Sequence, residues 1–424
     1  MSTLYTLVMT FALAVVYPLS LLLALFGKSS LRARLTPPQS LSGEGAPRVW
    51  IHAASVGEAG IAFSMAAEIR KKKQGSFICI STTTSTGLDR IRYLQKSNER
   101  MVDCSFLAPF DHPFIARRFI EKINPSTFIL VETEIWPALI AAIQRRGVPV
   151  TIINGKLGPR SFRRYNLFRF AIQTLLSNIS LVCVQSRSFA RRFHWLGVPR
   201  ERIEVLGNIK FDSMPDSSQF DCPSVRRNLG LPEKAEVFVA GSTRPGEEEI
   251  LIRSFRTVLE HHPGAVMVLV PRHLNRVSDV EKILSGAGLS YARRSAGEKL
   301  DEGNRPVLLL DTMGELLSAF ACADAAFVGG SLRDYGGHNP MEPAALGIPV
   351  LFGPYMEQTG AKELLSGGAA ILVHDETELA EALDSILSDS EMSRRMAEAG
   401  PKVIRKFRGI LARTYKAMES RGVL

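Results

Sequence analysis

The chain has 424 residues, of which 46% are hydrophobic and 22% charged, and this balance excludes a disordered or low-complexity protein. Its 52 basic and 42 acidic residues give a net charge of +10, which favours anionic partners such as phosphorylated substrates or an acidic membrane surface. Nucleic acid is not an expected partner, because the sequence has neither a zinc-ligand spacing of its cysteines nor an RNA-binding signature.

Residues 4–26 carry no charge and are long enough to cross a bilayer. Lys28, Arg32 and Arg34 follow at once, and positive charge on this side of an apolar segment keeps the next domain in the cytoplasm. A secretory signal would have its positive charge before the apolar segment. Residues 1–34 are therefore predicted to be a membrane anchor with a basic flank, which either spans the bilayer or lies in its interface. The alternative is an apolar helix packed on the globular body.

Residues 35–47 contain three prolines and two glycines and are predicted to be a linker. After them, apolar runs of strand length alternate with helical patterns. The predicted strands are 48–52, 76–81, 127–131, 149–153 and 181–184. Alternation of this kind predicts a parallel sheet with helices on both faces, in a first domain of residues 47–212.

A stretch rich in proline and serine, residues 212–232, precedes a second alternation of the same kind. Its predicted strands are 236–240, 265–270, 307–310, 324–328 and 349–351, and its predicted helices are 245–260, 314–321, 340–346 and 376–388. A second domain is therefore predicted at residues 225–400, with a C-terminal helix in 401–424. Together the two parts predict an α/β protein with two doubly wound, Rossmann-like domains.

Two candidate sites in the first domain follow predicted strands, at the sheet edge where open α/β folds bind ligands. The turn His52-Ala-Ala-Ser-Val-Gly-Glu58 leads into a helical pattern. Glu58 is there a candidate general base or, alternatively, a partner of the helix dipole. Glu132-Thr-Glu134 offers two carboxylates that can orient a sugar or stabilise positive charge. The alternative for this pair is helix capping, which describes Glu134 better than Glu132.

Lys210 lies in the segment Gly207-Asn-Ile-Lys-Phe-Asp212, at the predicted domain junction. A lysine in such a place can neutralise a departing phosphate. An isolated lysine is more often a solvated surface charge, and the residues alone leave both interpretations open.

Arginines alternate with aromatic side chains on the predicted helix at residues 160–170, where Arg160, Arg163 and Arg164 stand. Such a face suits anionic lipid headgroups, and arginine binds phosphate well. The alternative is an amphipathic helix with its aromatic side chains in the core and its arginines in water.

Two segments of the second domain follow predicted strands and suit a nucleotide. Arg272, in Pro271-Arg-His273, has a forked guanidinium that can bind two phosphate oxygens at once. The segment Asp311-Thr-Met-Gly314-Glu-Leu316 follows the next strand along. Its structural alternative is a helix capped by Asp311 or Thr312, and both roles can hold together.

The glycine-rich segment from residue 327 to 342 also suits a nucleotide. The glycines let the backbone approach a ligand closely, and a helix that begins near Pro340 exposes N–H groups to a phosphate. Glu342, one turn into that helix, can accept hydrogen bonds from ribose hydroxyls. The segment is not a P-loop, and the first strand is not followed by the dinucleotide fingerprint.

These motifs carry a resemblance to a known family. HAASVGE, ETE with Trp-Pro after it, GNIKFD and GGHNPxE occur in the order and at the spacing of the 3-deoxy-D-manno-octulosonic acid (Kdo) transferases, and the likeness covers nearly the whole chain. The resemblance implies the GT-B glycosyltransferase fold, two Rossmann-like domains with a cleft between them. It assigns proton abstraction to Glu58, transition-state stabilisation to Glu132 and charge neutralisation to Lys210.

The resemblance also implies which residues bind the substrates. Contacts to the donor, CMP-Kdo, fall on Pro271, Arg272, Gly314, Glu315, Leu316, Asn339, Pro340, Met341 and Glu342. Contacts to the acceptor are expected from Lys156, Arg160, Arg163 and Arg164. The chain reads NGKLGPRS where the family pattern is NARLSARS, so Lys156 replaces an arginine.

The implied reaction is transfer of Kdo from CMP-Kdo to the lipid A precursor, a tetra-acyldisaccharide 1,4′-bisphosphate, in lipopolysaccharide core biosynthesis. We expect inversion at the anomeric carbon without a metal or separate cofactor, on the cytoplasmic side of the bacterial inner membrane with its anionic surface. The number of Kdo residues added, the acyl-chain preference and the oligomeric state are not fixed by these motifs. Two alternatives are a GT-B transferase or sugar epimerase that uses a UDP-sugar, and a membrane-attached protein that holds lipid without chemistry.

Overall fold

The computed structural model describes residues 29–38, 41, 46–97, 100–300 and 305–424. The chain divides into two compact units, the first made of the described residues up to Asp212 together with Gly409–Leu424, the second of Ser213–Arg408. The predicted apolar anchor at residues 4–26 lies outside the described part. Within that part, no helix combines the length and the apolar character needed to span a membrane.

The first unit contains one parallel sheet of seven strands in the order β3-β2-β1-β4-β5-β6-β7. The strands are β1 Arg48–Ala53, β2 Phe77–Thr82, β3 Cys104–Leu107, β4 Thr127–Val131, β5 Val150–Gly155, β6 Leu181–Val184 and β7 Ile203–Val205. The chain winds away from β1 in both directions, since β1 pairs with β2 on one side and β4 on the other. The loops after β1 and β4 therefore meet at the switch point of the sheet, where such folds bind ligands.

Helices cover both faces of this sheet. They are Ser29–Ala33, Val56–Lys72, Ser85–Ser97, Pro113–Ile123, Pro137–Arg145, Pro159–Leu167, Arg169–Leu176, Arg187–Trp195 and Ile410–Ser420. Three of them have proline in the first turn, where its missing N–H costs no helical hydrogen bond. The last helix returns from the C-terminus to pack on Val56–Lys72, and Asp212 accepts a 3.1 Å hydrogen bond from its first N–H, at Ile410.

The second unit repeats this plan with strand order β10-β11-β9-β8-β12-β13-β14. Its strands are β8 Val237–Thr243, β9 Val266–Pro271, β10 Tyr291–Arg293, β11 Val307–Leu309, β12 Ala325–Val328, β13 Val350–Phe352 and β14 Ala370–Leu372. Its α-helices are Cys222–Leu229, Glu248–His261, Val277–Gly286, Leu316–Ala321, Met341–Ala345, Ala361–Ser366, Glu376–Ser388 and Ser390–Arg405. The predicted class, α/β with two doubly wound parallel sheets, is confirmed.

Four strands had no counterpart among the predicted ones: β3, β7, β10 and β14. Each lies at an outer edge of its sheet and is three or four residues long. A run this short gives little periodicity, so pairing with the neighbouring strand decides its conformation.

Candidate active site

Glu58 stands in the first turn of the helix Val56–Lys72, directly after β1, and is 9% exposed. The hydroxyl of Ser55 accepts from the Glu58 N–H at 3.3 Å and donates to Glu58 Oε1 at 2.9 Å. Glu58 Oε2 accepts from the N–H of Ala54 at 2.8 Å. This reciprocal arrangement is a variant of the capping box, so Glu58 has the structural role named as its alternative. Each carboxylate oxygen keeps a second lone pair, and the group can still accept a proton.

Glu132 follows β4 in a left-handed conformation, with φ of 60°, that non-glycine residues adopt at a cost. Asn154, at the end of the adjacent β5, has φ of 53°. Hydrogen bonds hold both residues in place. Glu132 N–H donates to the Ile153 carbonyl of β5 at 2.9 Å, and Asn154 Oδ1 accepts from the N–H of Ile209, the first residue of the 3-10 helix Ile209–Ser213, also at 2.9 Å. Strained backbone of this kind clusters at functional sites.

Lys210 lies close to both Glu132 and the helical turn of Glu58. Its Nζ lies 3.8 Å from Glu132 Oε1, and a Cβ atom placed on Gly57 would lie 3.6 Å from the same Nζ. The ammonium therefore sits over the helical turn that carries Glu58. Burial raises the pKa of Glu132, the charge of Lys210 opposes that shift, and the charge of Glu58 adds to it.

A cavity of about 770 Å³ opens beside this group. Its walls combine acidic, basic and aromatic side chains, among them Arg34, Phe110, Glu132, Glu134, Trp136, Lys156, Arg164 and Tyr165. Of the four predicted acceptor contacts, Lys156 and Arg164 line the cavity. Arg160 and Arg163 lie exposed on the helix Pro159–Leu167 that carries Arg164, but they do not line the described part of the cavity.

Glu134 does not cap the helix Pro137–Arg145, so that prediction is wrong. The capping group is Asp111, whose Oδ1 accepts from Leu139 N–H at 2.8 Å and whose Oδ2 accepts from Ala138 N–H at 3.2 Å. Glu134 Oε2 instead accepts from the indole N–H of Trp136 at 3.2 Å. Burial, and then the charge of Glu58, raise the pKa of Glu134 to about 7.

In the second unit, cationic side chains converge at the ends of β8, β9 and β12. Arg272 N–H donates to the Thr243 carbonyl at 3.1 Å, and Arg244 Nη1 lies 2.6 Å from His273 Nε2. Burial, then the charges of Arg272 and Arg244, lower the pKa of His338 to about 4. Neither arginine forms an ion pair with a carboxylate of the described residues, so the cluster suits an anion.

Asn339 and Glu342 complete this group. Asn339 Nδ2 donates to Glu342 Oε1 at 3.0 Å, while burial raises the pKa of Glu342 and the charge of Arg272 opposes the shift. The helix that begins at Met341 has five residues, and Asn339 Oδ1 accepts from its first N–H at 3.1 Å. The predicted phosphate contact to this N–H is therefore replaced by a side-chain cap.

The glycine-rich loop owes its shape to Glu247, which the sequence did not single out. This fully buried carboxylate accepts from the N–H groups of Gly330, Ser331, Leu332 and Arg244 at 2.7–2.9 Å. A Cβ atom on Gly329 would lie 2.4 Å from the Ser242 carbonyl oxygen, so only glycine fits there. The loop is thus held in one conformation before a ligand arrives.

The predicted nucleotide segment at residues 311–316 is only partly free to contact a ligand, because its carboxylates bind arginines of the protein. Glu315 accepts from Arg294 Nη2 at 2.8 Å, and this hydrogen bond lowers the pKa of Glu315. Asp311, predicted as a helix cap, instead binds Arg293 Nε at 2.6 Å, and Glu315 is the N-cap residue without a side-chain bond to the helix. Gly314, with φ of 88°, keeps an open surface, and Leu316 packs against the end of β8.

The family model and the similar curated proteins point to one family. The family model for 3-Deoxy-D-manno-octulosonic-acid transferase (kdotransferase) matches residues 29–213. The chain is 33% identical to the 3-deoxy-D-manno-octulosonic acid transferase of Haemophilus influenzae, over 90% of the chain and 87% of the relative. It is 30% identical to that of Bordetella pertussis, over 93% and 90%. A glycosyltransferase structure from Rickettsia africae, 13% identical, covers 88% of the chain and 98% of its own length with a TM-score of 0.62, a likeness of fold.

Proposed function

Because the chain belongs to the 3-deoxy-D-manno-octulosonic acid transferase family and is a glycosyltransferase, we propose that it transfers Kdo from CMP-Kdo to the lipid A precursor in lipopolysaccharide core biosynthesis. The observation that carries this proposal is the convergence of Glu58, Glu132 and Lys210 at the switch point of the first sheet. Because this is a family of enzymes, the alternative of a membrane-attached protein that only binds lipid is excluded.

Glu58 acts as the general base. It takes the proton of an acceptor hydroxyl, whose oxygen forms a bond to the anomeric carbon of Kdo as the bond from that carbon to the CMP phosphate breaks. The electron pair leaves with the phosphate oxygen. A single displacement of this kind inverts the anomeric configuration. A positioned general base typically accounts for about 10²–10⁴-fold in rate.

Charge develops at two places during this displacement. The anomeric carbon becomes oxocarbenium-like, and the carboxylate of Glu132 stabilises it. The departing phosphate gains negative charge, which Lys210 neutralises, while Arg272, Asn339 and Glu342 bind the nucleotide. Fixed cations do this without a metal ion, and we propose a metal-independent reaction.

The acceptor carries two phosphates, and we assign them to the basic wall of the first unit's cavity at Lys156 and Arg164. Beside it lies an exposed apolar patch on neighbouring helices. Leu167, Phe168 and Phe170 are 80%, 65% and 94% exposed, next to the exposed arginines at 163 and 169. Apolar side chains flanked by arginines suit an anionic bilayer surface, so we propose that this face lies on the cytoplasmic side of the inner membrane.

Mass spectrometry of the lipid product tests the proposed reaction. The purified protein, incubated with CMP-Kdo and tetra-acylated lipid A precursor, should yield lipid heavier by one or more Kdo residues, with equal yield in EDTA. The number of added residues is read from the same spectrum. Product formed only from a UDP-sugar would overturn the donor assignment, and loss of product in EDTA would overturn the metal-free mechanism.

Vesicle flotation tests the membrane face. Replacing Leu167 and Phe170 by serine should weaken binding to vesicles that contain phosphatidylglycerol, because each exposed side chain loses its burial in the interface. Phe114→Ser is the matched control, since Phe114 is 63% exposed on the separate helix Pro113–Ile123. Equal losses in the two variants would contradict a specific face.

A further inference from the structure

One carboxyl group of the cavity has no role in the steps described so far. Glu134 lines the cavity together with Glu132, and the helix that follows it is capped by Asp111 instead. Within the described part of the chain, the hydrogen bond to this carboxyl group comes from the Trp136 indole to Oε2, and Oε1 has no donor there. A half-buried carboxyl group with an oxygen not used by the fold is a candidate for ligand contact.

A series of contacts that begins in the core fixes where this carboxyl group lies. Trp50 Nε1 donates to Ser81 Oγ at 2.8 Å, and Ser81 Oγ lies 2.9 Å from His52 Nδ1. The His52 ring meets the Trp136 ring edge to face, with centroids 5.6 Å apart. Trp136 then donates to Glu134. Because His52 is fully buried, these contacts hold the Trp136 indole, and with it the Glu134 carboxyl group, in one position.

This series of contacts adds no charge to the site, because its histidine is neutral. Burial, and then the charge of Arg34, lower the pKa of His52 to about 3, so the ring is neutral at physiological pH. The Ser81 hydroxyl, which already accepts from Trp50, has its proton free for His52 Nδ1. The imidazole therefore positions Trp136 as a neutral group.

The charges around Glu134 favour its neutral form. Burial and the carboxylates of Glu58 and Glu132 disfavour a third negative charge. The hydrogen bond from Trp136 and the charge of Arg164 oppose this effect, but the pKa of Glu134 still rises to about 7. The other titratable groups on the facing elements are Arg34, Asp111, Lys156, Tyr165 and Lys210. A neutral carboxyl group can donate a hydrogen bond, which an ionised one cannot.

We propose that Glu134 contacts the acceptor and donates a hydrogen bond from its protonated carboxyl group to a sugar oxygen bound in this cavity. The inference rests on the proposed function, because it takes the acceptor to be a phosphorylated amino-sugar disaccharide. Glu58 and Glu134 then have opposite roles in one site, one accepting a proton from the acceptor and the other donating a hydrogen bond to it. His52 and Trp136 act as positioning residues for that contact.

Glutamine and alanine variants test the donor role. Glu134→Gln keeps an N–H donor of similar shape, so we expect wild-type activity within about twofold at pH 6. Glu134→Ala removes the donor, and the KM for the acceptor should rise about 3- to 10-fold with the KM for CMP-Kdo unchanged, the size of one neutral hydrogen bond. Glu121→Gln, at an exposed glutamate of another helix, is the control and should change neither constant.

The pH profile separates donation from mere shape. Wild-type affinity for the acceptor should fall as the pH rises through about 7, where Glu134 loses its proton, and Glu134→Gln should remove that fall. His52→Gln should disturb Glu134 through Trp136, and its KM for the acceptor should rise with the KM for CMP-Kdo unchanged. A fall with pH that persists in Glu134→Gln, or Gln and Ala variants that are equally impaired, would overturn the proposal.

A binding experiment keeps this inference apart from the proposed function. Calorimetry with the deacylated glucosamine disaccharide bisphosphate at pH 6 and pH 8 needs no transfer reaction. If the wild-type protein forms no Kdo-lipid, the proposed reaction fails. Wild-type binding that is tighter at pH 6 than at pH 8, together with equal binding at the two pH values in Glu134→Gln, still supports the contact. Absence of binding at both pH values would overturn the contact itself.

Discussion

The candidate site of the first unit combines three glutamates with a basic cavity wall, whereas that of the second unit gathers cationic groups. In the first unit Glu58, Glu132 and Glu134 repel one another, Lys210 pairs with Glu132, and the pKa of Glu134 rises to about 7. In the second unit Arg244 and Arg272 gather around His338, whose pKa falls to about 4. Each cluster resists more charge of its own sign. The acidic site therefore suits a hydroxyl acceptor that must lose a proton, and the basic site suits a phosphate.

The two sites also differ in what holds them. In the first, side chains stand on strained or capped backbone, as at Glu132 with φ of 60° and at the Ser55 cap of Glu58. In the second, the buried carboxylate of Glu247 binds the N–H groups of a glycine-rich loop. Precise side-chain placement fits proton transfer, whereas a fixed backbone surface fits recognition of a nucleotide.

The largest expected effect is loss of turnover when the proposed general base of the first unit is replaced. Glu58→Gln should reduce turnover by about 10²–10⁴-fold with nucleotide affinity unchanged, because the amide cannot accept the proton. Steady-state kinetics with the lipid acceptor measure it. Ser55→Ala is the control, since it removes the cap but keeps the carboxylate, at a cost of about 1 kcal/mol in the free energy of unfolding. Comparable loss of turnover in both variants would make Glu58 a structural residue only.

Lys210 tests whether charge neutralisation belongs to the transition state. Lys210→Ala should lower kcat about 10²-fold and change CMP affinity much less, because the charge on the phosphate grows only as the bond breaks. Lys210→Arg should recover part of the activity. Kinetics and calorimetry with CMP give the two quantities. Equal losses in kcat and in CMP affinity would indicate ground-state binding instead.

Arg272 tests the basic site by affinity alone. Arg272→Ala should weaken CMP binding about 10- to 10²-fold, the size of a charge-assisted hydrogen bond to phosphate. Arg256→Ala, at an exposed arginine of the helix Glu248–His261, should leave the affinity as it is. Calorimetry measures both, and titration with UDP beside CMP reports the base preference. An unchanged affinity in Arg272→Ala would remove this residue from the phosphate site.

Some residues of these sites could be predicted from the sequence, and others could not. Glu58, Glu132 and Arg272 were predicted as site residues because each follows a buried strand, and parallel strands bring their carboxyl ends to one edge. The structure has each of them after such a strand. The structural roles of Asp111, His52 and Glu247 were not predicted, because each role depends on hydrogen bonds to residues 27 to 85 positions away in the chain. The wrong assignment of Glu134 as a cap has the same origin. A local pattern shows that a helix needs a cap, but the tertiary fold decides which side chain supplies it.

The smallest expected effect compares one buried histidine in each unit. The pKa of His52 and of His338 lies below that of the unfolded chain, so the unfolded state binds more protons and stability falls as the pH drops from about 6.5. For half-buried His338 this loss should be below about 1 kcal/mol, or about 2 °C in the thermal midpoint.

Bound CMP should reverse part of this loss, because its phosphate raises the pKa of His338. CMP should therefore stabilise the protein more at pH 5 than at pH 7. This excess stabilisation at pH 5 should disappear in His338→Gln and remain in His52→Gln. Thermal denaturation with and without CMP measures it. An excess that survives in His338→Gln would show that the second unit's cations hold the phosphate away from this ring.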